Sequence, residues 1–571
     1  MMNGSNRSNY PLQSPHAQVG TTGGLASTST SHSLSRVDPE GRNLRICTAE
    51  EMREIDRLAE VEFGIDAMIL MENAGRSAAQ ILLEKWPHAG RTTEILVFAG
   101  KGNNAGDAFV VARRLMALDR RVRVFHLEEP ARYRGPVLKN FEILQKMKAK
   151  MTLIEAIPEL EEFLSRSPGP FTIVDGILGT GLKGPLEGLF FDLVETLNGL
   201  HCPEVLALDI PTGVSGNTGA IESTSIQATL TVSFGFPKMG HFLPPGASRR
   251  GELMNVDISL PARFRREGDK FLLMRGPLAR LLRERDRYGH KNAFGHTLLV
   301  GGSPGRLGAI AMAAGACHKM GTGLVTVGTW EDSFDPLLIK LPNETMVFPL
   351  KMGGEAFESY RKALQNYSSI VIGPGLGLRP DGRLILEELL TSYSGPVVID
   401  ADGLNLIADH QLHGLLQARN APTVLTPHPG ELARLLGIPK EEVRERPAEC
   451  LMEVVRKTHA IVLLKGAATL VASAEDTLYL NHYPNDGMAT AGSGDVLAGM
   501  IGGLLGQGMN AFEGTLLGIY LHSLAGDFAA RSLGHRSMTA PDIIGNISNA
   551  FKEIHVPLDT DLPVEVRAKL L

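Results

Sequence analysis

Apolar residues fall along the chain in two alternating arrangements, short continuous runs and longer stretches with a helical period. Thr48 and Glu51 have the Ser/Thr-x-x-Glu spacing of a capping box, and apolar residues then recur at helical intervals, which predicts two helices before the first strand. The apolar runs that follow alternate with helical segments, which indicates βαβ units and a parallel sheet. These runs are "EILVFAG", "RVRVFHL", "FTIVDGILGTG", "EVLALDIPTG" and "ATLTVSFGFP".

The alternation stops at residues 262–290, a charged stretch that we predict to be helical, and starts again at "HTLLVGGSPG". The second series continues with "GLVTVGT", "SIVIGPGLGL", "PVVIDADGL", "TVLTPHPGE" and "AIVLLKGAAT". We therefore expect two α/β domains, over residues 44–267 and 268–571. Residues 1–43 are rich in Ser, Thr, Asn and Gly and lack the apolar core of a secretory signal, which predicts a disordered tail with only a weak resemblance to a transit peptide.

Composition and charge limit the possible partners. The 571 residues carry a formal net charge of -6, which provides no global positive field for nucleic acid or an anionic membrane. No stretch reaches the roughly 18 uninterrupted apolar residues of a membrane-spanning helix. The four cysteines stand far apart, and neither they nor the 17 histidines show zinc-type spacing. We expect a cytoplasmic protein with free thiols.

The turn after the first apolar run, within "EILVFAGKGNNAGDAFVVARR", combines two conflicting signals. Gly100, Gly102 and Ala105 fit the GxGxxG/A fingerprint of dinucleotide-binding loops, which taken alone favours an oxidoreductase. Asp107 conflicts with that interpretation, because a carboxylate near a helix start repels a pyrophosphate unless positive charge lies between them.

Two further acidic residues follow apolar runs, Asp175 in "VDGILGTG" and Asp209 in "LDIPTG". The carboxyl ends of strands form the ligand crevice of an open α/β sheet, so these side chains are expected to converge with Asp107. Together with asparagine oxygens and the Thr212 hydroxyl they could coordinate a hard cation. The alternative is structural: Asp107 caps its helix, while Asp175 and Asp209 fix loops.

The second half carries a phosphate-binding pattern, "NDGMATAGSGDVLAGMIGGLL". Gly494 and its neighbours precede Asp495 and an apolar helix, so backbone NH groups and the helix N-terminus can receive a phosphoryl group beside a carboxylate that acts as a base. Lys465 follows another apolar run, and no GxxxxGK[ST] P-loop occurs. This arrangement resembles the ribokinase-like fold, in which a GxGD aspartate deprotonates an attacking hydroxyl.

The motifs "LMENAG", "GKGNNAGD", "DGILGTGLKGP" and "LDIPTGVSGNTG" together resemble the NAD(P)HX epimerase domain over about residues 44–262. The resemblance implies a Rossmann-like three-layer domain. It also implies catalysis at Asp209 and potassium at Asn104, Asp175 and Thr212. The implied substrate contacts are Asn103, Asn104, Ala105, Gly106, Asp107, Gly179, Thr180, Gly181, Leu182, Lys183, Gly184, Pro185 and Asp209.

Six motifs of the second half, in order, resemble the NAD(P)HX dehydratase family over about residues 270–550. They are "HKNAFGHTLLVGGSPGRLGAIAMAA", "GPGLG", "DADGLNLIA", "TPHPGELARLLG", "KGAAT" and "AGSGDVLAG". The resemblance implies that Asp495 is catalytic and that a nucleotide and magnesium take part. The implied substrate contacts are Ala309, Gly377, His428 and Asp495, and the implied nucleotide contacts are Lys465, Gly466, Ala467, Ala468, Thr469 and Gly494. The alternative for His428, between two prolines, is a rigid loop corner.

The whole chain thus resembles bifunctional NAD(P)HX repair enzymes, and this implies an isomerase and a lyase that act on NADHX and NADPHX. The first domain would interconvert the two epimers, and the second would dehydrate the S epimer with ADP, or ATP, releasing AMP and phosphate in the ADP case. A homo-oligomer is expected. Two alternatives stay open, a ribokinase-like small-molecule kinase with a regulatory nucleotide-binding domain and a non-catalytic binding module.

Overall fold

The computed structural model describes residues 43–555 apart from positions 168, 201, 283, 351–357 and 359–360. The predicted disordered tail therefore lies outside the described residues, except for Asn43. The described residues form two sheets, and the predicted α/β fold class is confirmed. Among the described helices, none is long and apolar enough to cross a membrane.

The smaller sheet has seven parallel strands in the order β4-β3-β2-β5-β6-β7-β8. They are β2 (Glu94–Ala99), β3 (Val122–His126), β4 (Lys150–Leu153), β5 (Phe171–Gly176), β6 (Val205–Leu208), β7 (Leu230–Phe234) and β8 (Glu252–Val256). Apolar clusters cover both faces of this sheet, which makes the first domain a three-layer structure. The strand order reverses between β2 and β5, and open α/β sheets bind ligands at such a switch point.

The larger sheet has eleven strands in the order β1-β9-β18-β17-β16-β15-β14-β13-β10-β11-β12. They are β1 (Leu44–Arg45), β9 (Lys270–Leu272), β10 (His296–Val300), β11 (Leu324–Trp330), β12 (Met346–Leu350), β13 (Ser369–Ile372), β14 (Val397–Ile399), β15 (Thr423–Leu425), β16 (Ile461–Leu464), β17 (Ala468–Ala472) and β18 (Leu478–His482). The seven strands from β16 to β12 are parallel, and β17 is antiparallel to both of its neighbours. The order reverses between β10 and β13.

Helices cover both sheets. In the first half they are Ala49–Phe63, Ala67–Lys85, Asn103–Met116, Gly135–Lys146, Ile157–Arg166, Gly188–Gly199 and Arg263–Arg266. In the second half the described helices are Arg275–Ala279, Leu307–Lys319, Phe334–Leu338, Pro380–Ser392, Asp402–Asp409, His413–Gln417, Pro429–Leu436, Lys440–Glu445, Pro447–Thr458, Ser493–Gly506, Ala511–Leu533 and Ala540–His555.

The capping box at the first helix is confirmed, because the Thr48 hydroxyl accepts from Glu51 N and the Glu51 carboxylate accepts from Thr48 N. The helical prediction for residues 262–290 is wrong. That stretch contains two short helices and the strand β9, which pairs with β18 and with β1. The strand could not be recognised in the sequence, because β9 is only three residues long, pairs with short strands and lies in a charged stretch. The strand β1 belongs to the larger sheet, and the domain limits 44–267 and 268–571 stay a prediction.

Candidate active sites at the two switch points

The loop after β2 leads into the helix Asn103–Met116, whose N-cap is Gly102 without a side-chain capping bond. Asp107 lies inside this helix and is buried, so the alternative that it caps the helix is wrong. Asn103 is exposed, whereas Ala105 and Gly106 are buried with Asp107. These residues lie at the switch point beside β5.

Two alanines in this helix pack into the protein core. Ala105 and Ala108 have no exposed surface, and a β-carbon built on Gly176 would lie 2.5 Å from the Ala108 β-carbon. The Ala108 methyl group therefore lies against β5, and both alanines belong to the apolar cluster on this face of the sheet. Neither side chain contributes to the exposed side of the loop.

The candidate cation ligands meet at the end of β5. One carboxylate oxygen of Asp175 accepts from Thr212 Oγ1 at 2.6 Å and the other from Thr212 N at 2.8 Å. Burial raises the pKa of Asp175 to about 6 against these hydrogen bonds. The amide of Asn104 is buried with neither its oxygen nor its nitrogen hydrogen-bonded, and a β-carbon on Gly179 would lie 3.4 Å from it. Buried polar groups of this kind indicate a missing partner.

Asp209 lies at the end of β6 in a left-handed backbone conformation with φ 61°. Its carboxylate pairs with the ammonium of Lys238 and accepts from Phe234 N at 3.2 Å. Its carbonyl lies 2.8 Å from Nε2 of His241. Lys238 is 1% exposed and also donates to the Phe234 carbonyl at 3.0 Å.

The carboxyl groups of this site differ in their electrostatic surroundings. Burial, the neighbouring Asp209 and then Asp56 raise the pKa of Asp107 well above its usual value, while Lys238 acts in the opposite direction. Burial also raises the pKa of Asp56, on the helix Ala49–Phe63, to about 6. Asp107 is therefore the carboxyl group most ready to carry a proton, and Asp209 has a lysine counter-ion.

The segment 179–185 forms a loop between β5 and the next helix. Gly179, Thr180 and Leu182 are half-buried. The exposed members are Gly181, Lys183, Gly184 and Pro185. The loop borders the same switch point, so the structure brings the predicted substrate contacts of the first domain to one edge of the sheet.

In the second domain, Lys465 occupies the end of β16 and pairs with a carboxylate that follows β14. Its ammonium donates to Asp400 Oδ1 at 2.6 Å and lies 3.9 Å from Glu431 Oε2. Asp400 is 1% exposed and also accepts from the Thr426 hydroxyl at 2.7 Å. Burial opposes the charge of Lys465, but Asp400 and Glu431 outweigh it and raise the pKa of Lys465.

Asp495 lies in the first turn of the helix Ser493–Gly506, whose N-cap Gly492 makes no side-chain capping bond. A β-carbon built on Gly494 would lie 3.2 Å from Lys465 Nζ, so a side chain at this position would crowd the ammonium. Burial, followed by repulsion from Asp400, raises the pKa of Asp495 to about 7, and Lys465 limits the rise. Asp495 is therefore a carboxyl group that can take up a proton at neutral pH.

Ala309, in the helix that follows β10, and Gly377, in the loop after β13, both lie at the second switch point. Gly377 N donates to Asp402 Oδ2 at 2.8 Å, and the same oxygen accepts from Arg306 at 3.0 Å. A β-carbon on Gly375 would lie 3.3 Å from the Ala309 β-carbon.

His428, after β15, caps the helix Pro429–Leu436. Its Nδ1 accepts from Gly430 N at 3.0 Å and Glu431 N at 3.2 Å, so in the neutral ring Nε2 carries the proton. Burial and then Lys465 lower the pKa of the imidazole. Just over half of the side chain is exposed, and Nε2 lies 3.5 Å from Glu431 Oε1. Capping and ligand contact are compatible at this residue.

The predicted nucleotide segment, residues 465–469, turns from β16 into β17. Gly466 and Ala467 are exposed at the turn, Ala468 is buried, and the Thr469 hydroxyl donates to the Gly466 carbonyl at 3.2 Å. Gly494 is half-buried opposite Lys465. The carboxyl ends of β13 to β16 thus contribute one continuous polar edge.

Sequence reasoning missed several polar residues of these sites: Asp56, Lys238, His241, Asp400, Asp402 and Glu431. Three of them, Asp400, Asp402 and Glu431, lie within the quoted motifs "DADGLNLIA" and "TPHPGELARLLG". The criterion that selected Asp175 and Asp209, an acidic residue after an apolar run, could have found them. Among the described residues, no group of three His, Cys, Asp or Glu side chains is arranged to hold a metal ion.

Comparison with known proteins assigns both halves. Residues 297–549 match the family model for NAD(P)H-hydrate dehydratase, and residues 67–240 match the model for the YjeF-related protein N-terminus. Among solved structures, the ADP/ATP-dependent NAD(P)H-hydrate dehydratase of Bacillus subtilis, co-crystallised with ATP and Mg²⁺, is 26% identical. It covers 49% of this chain and 97% of its own, with a TM-score of 0.43. A ribokinase-like superfamily protein of Enterococcus faecalis is 28% identical and covers 50% and 97%, with a TM-score of 0.45.

Full-length relatives carry both halves. The bifunctional NAD(P)H-hydrate repair enzyme of Moorella thermoacetica is 38% identical over 522 residues, which cover 90% of this chain and 98% of the relative. The enzyme of that name from Escherichia coli is 31% identical over 520 residues, covering 91% and 96%. With both domains matched in order, and with relatives above 30% identity that align over nearly their whole length, the chain belongs to the family of bifunctional NAD(P)H-hydrate repair enzymes.

Proposed function

We propose that this chain restores hydrated NADH and NADPH, with epimerisation of (R)- and (S)-NAD(P)HX in the first domain and nucleotide-dependent dehydration of the S epimer in the second. The observation that carries the proposal is the position of Asp495. It is a carboxyl group with a pKa raised to about 7, directly after Gly494 at a helix N-terminus and facing Lys465. This arrangement supports proton removal from a hydroxyl beside a phosphoryl group.

Dehydration follows from this geometry. Asp495 takes the proton of the ring hydroxyl, and the oxygen attacks the terminal phosphoryl group of ADP, which releases AMP. The bond between the ring carbon and the phosphate oxygen then breaks, and phosphate leaves. Loss of a proton from the adjacent carbon restores the ring double bond. Lys465 and the backbone NH of Gly494 stabilise the negative charge of the phosphoryl group during transfer.

The nucleotide would lie along residues 465–469 and Gly494, with the substrate toward Ala309, Gly377 and His428. Magnesium, when bound with the nucleotide, neutralises its phosphate charge. Asp400 and Glu431 are engaged by Lys465 and by the His428 backbone, so phosphate oxygens and water are the expected magnesium ligands. ADP is the favoured donor, and ATP is the alternative.

The epimerase reaction needs a base and an acid at one carbon. Water adds to the reduced ring at the carbon beside the ring nitrogen, and such a carbon can invert by ring opening. Asp209 accepts the hydroxyl proton as the carbonyl forms and the carbon–nitrogen bond breaks, and Asp107 protonates the nitrogen. Closure on the other face returns both protons. Lys238 is the counter-ion of the Asp209 carboxylate, and burial followed by the neighbouring Asp209 raises the pKa of Asp107 well above its usual value.

Asn104, Asp175 and Thr212 would hold potassium. Their oxygens are hard donors, and the side-chain oxygen of Asn104, which is buried and accepts no hydrogen bond, has its lone pairs available to coordinate a cation. Bound there, potassium would offset the repulsion between the acidic loop and a pyrophosphate. The other predicted contacts, Asn103 to Asp107 and Gly179 to Pro185, surround the same edge. A cytoplasmic location and a homo-oligomer stay predictions.

The test gives the purified chain a mixture of hydrated epimers with ADP or ATP and follows the near-ultraviolet absorbance of the reduced ring. We expect recovery in two phases, a fast one for the S epimer and a slow one for the R epimer that exceeds the rate of its uncatalysed epimerisation. A stable phosphorylated product without recovery of absorbance would favour the kinase alternative. Ligand binding without either outcome would favour a binding module.

A further inference from the structure

A short turn in the first domain, residues 238–242, holds the backbone of Asp209. Lys238 supplies the counter-ion of the carboxylate, and Nε2 of His241 lies 2.8 Å from the Asp209 carbonyl. His241 Nδ1 accepts from Lys238 N at 3.0 Å, so Nε2 carries the proton and donates it to that carbonyl. Because Asp209 adopts φ 61°, a conformation that is unfavourable for a non-glycine residue, it requires support of this kind.

Arg250 fixes the outer side of this turn. Its Nε donates to the His241 carbonyl at 2.7 Å, and one terminal nitrogen donates to the Gly251 carbonyl at 2.8 Å. Burial lowers the pKa of Arg250 to about 10. A guanidinium group removed from water in this way needs a partner for its remaining NH group.

That partner comes from the second domain. The other terminal nitrogen of Arg250 lies 3.0 Å from Nε2 of His482, the last residue of β18. Nδ1 of His482 lies 3.2 Å from the Phe242 carbonyl and must donate to it, so Nε2 is the unprotonated acceptor for Arg250. The imidazole also packs edge-on against the Phe242 ring, with 5.4 Å between centroids. His482 is 8% exposed.

Side chains alternate between the two faces of β18, which separates its contacts with the two domains. His482 faces the turn of the first domain. Its neighbour Asn481 donates to the Ser523 hydroxyl at 2.8 Å, and His522, the residue before Ser523, lies 3.4 Å from the Ser493 hydroxyl at the start of the Asp495 helix. A substitution at His482 therefore acts first on the epimerase side.

We propose that His482, a residue of the dehydratase domain, is a positioning residue for epimerisation and acts through Arg250 and the turn that holds Asp209 and Lys238. This inference rests on the proposed epimerase function of the first domain. The first domain alone lacks His482, the acceptor that fixes Arg250. Fusion to the second domain therefore completes the support of the Asp209 carboxylate.

The test uses His482→Phe in the full chain, which keeps a ring against Phe242 but removes both hydrogen bonds. A misplacement of about 1 Å at a reacting group lowers turnover by up to about 100-fold, so we expect kcat for the R epimer to fall between about 10-fold and 100-fold. KM for the R epimer and recovery of the S epimer should stay close to wild type. His482→Gln, which retains an acceptor for Arg250 and a donor for Phe242, should restore much of the lost epimerisation.

His296→Gln is the matched control, since this half-buried histidine also lies on a strand of the larger sheet, at the start of β10, but its hydrogen-bond partner is Thr326 on the neighbouring strand β11. It should leave both phases unchanged. Wild-type epimerisation by folded His482→Phe, or an equal loss of both phases, would overturn the proposal. If His482→Phe does not fold, Arg250→Lys replaces it, because an ammonium cannot span the three acceptors that the guanidinium group reaches. Normal epimerisation by that variant would equally overturn the proposal. Absence of enzymatic R-epimer conversion in the wild type would instead reject the epimerase function itself.

Discussion

Asp495→Asn separates chemistry from stability at the second site. The asparagine keeps the size and polarity of the aspartate but cannot accept a proton, so it removes the proposed base. General base catalysis contributes about 10² to 10⁴-fold, and dehydration of the S epimer should fall by that range. Nucleotide binding should persist, because Lys465 and the Gly494 backbone remain.

The same substitution should stabilise the second domain at alkaline pH. Burial and Asp400 raise the pKa of Asp495 from 3.8 to about 7, so the folded state binds this proton more tightly than the unfolded state does. Wild-type stability is therefore lost as pH rises from about 4 to about 7. The pKa of Asp495 rises by about three units, and each unit corresponds to about 1.4 kcal/mol. The stability that wild type has lost above pH 7 therefore has an upper limit of about 4 kcal/mol. Asparagine has no charge to bury.

The assay combines the fast phase of recovery with thermal unfolding of the full chain at pH 5 and pH 8. We expect Asp495→Asn to lose the fast phase, and its melting advantage over wild type to be larger at pH 8. Asp381→Asn is the control, since Asp381 is an exposed aspartate in the first turn of another helix of the same domain and should change neither quantity. Near-normal dehydration by Asp495→Asn would refute the catalytic role, and a larger melting advantage at pH 5 would refute the electrostatic reasoning.

Three further predictions concern the first site. Asp209→Asn tolerates the left-handed backbone but removes the base, so the slow phase should fall to the uncatalysed rate while the fast phase persists; equal loss of both would argue against separate sites. Asp56→Asn removes a charge that raises the pKa of Asp107, so the alkaline limit of epimerisation should move to lower pH, whereas an unchanged pH profile would exclude this coupling. Replacing potassium by a bulky organic cation should suppress only the slow phase, and full activity after exhaustive exchange would contradict a cation at Asn104, Asp175 and Thr212.

The positions of the strand-end acids could be predicted from the sequence. Apolar runs that end in Asp175 or Asp209 indicate parallel strands and loops at one sheet edge, and parallel connections place those ends together. The same local pattern located the capping box at Thr48 and the helix that starts beside Asp495. Period and turn chemistry are properties of neighbouring residues, so they can be read along the chain.

Only the tertiary structure decided which groups share a site and which charge they carry. Lys238 is distant from Asp107 in sequence, and its burial beside Asp209 follows from the packing of β6 against β7. The contact between Arg250 and His482 joins residues that are 232 positions apart and that belong to different domains. Hydrophobic periodicity describes only neighbouring residues, so it cannot predict such a contact. The raised pKa of Asp495 likewise depends on Asp400 and on burial, because charge state is set by the dielectric environment and neighbours that folding assembles.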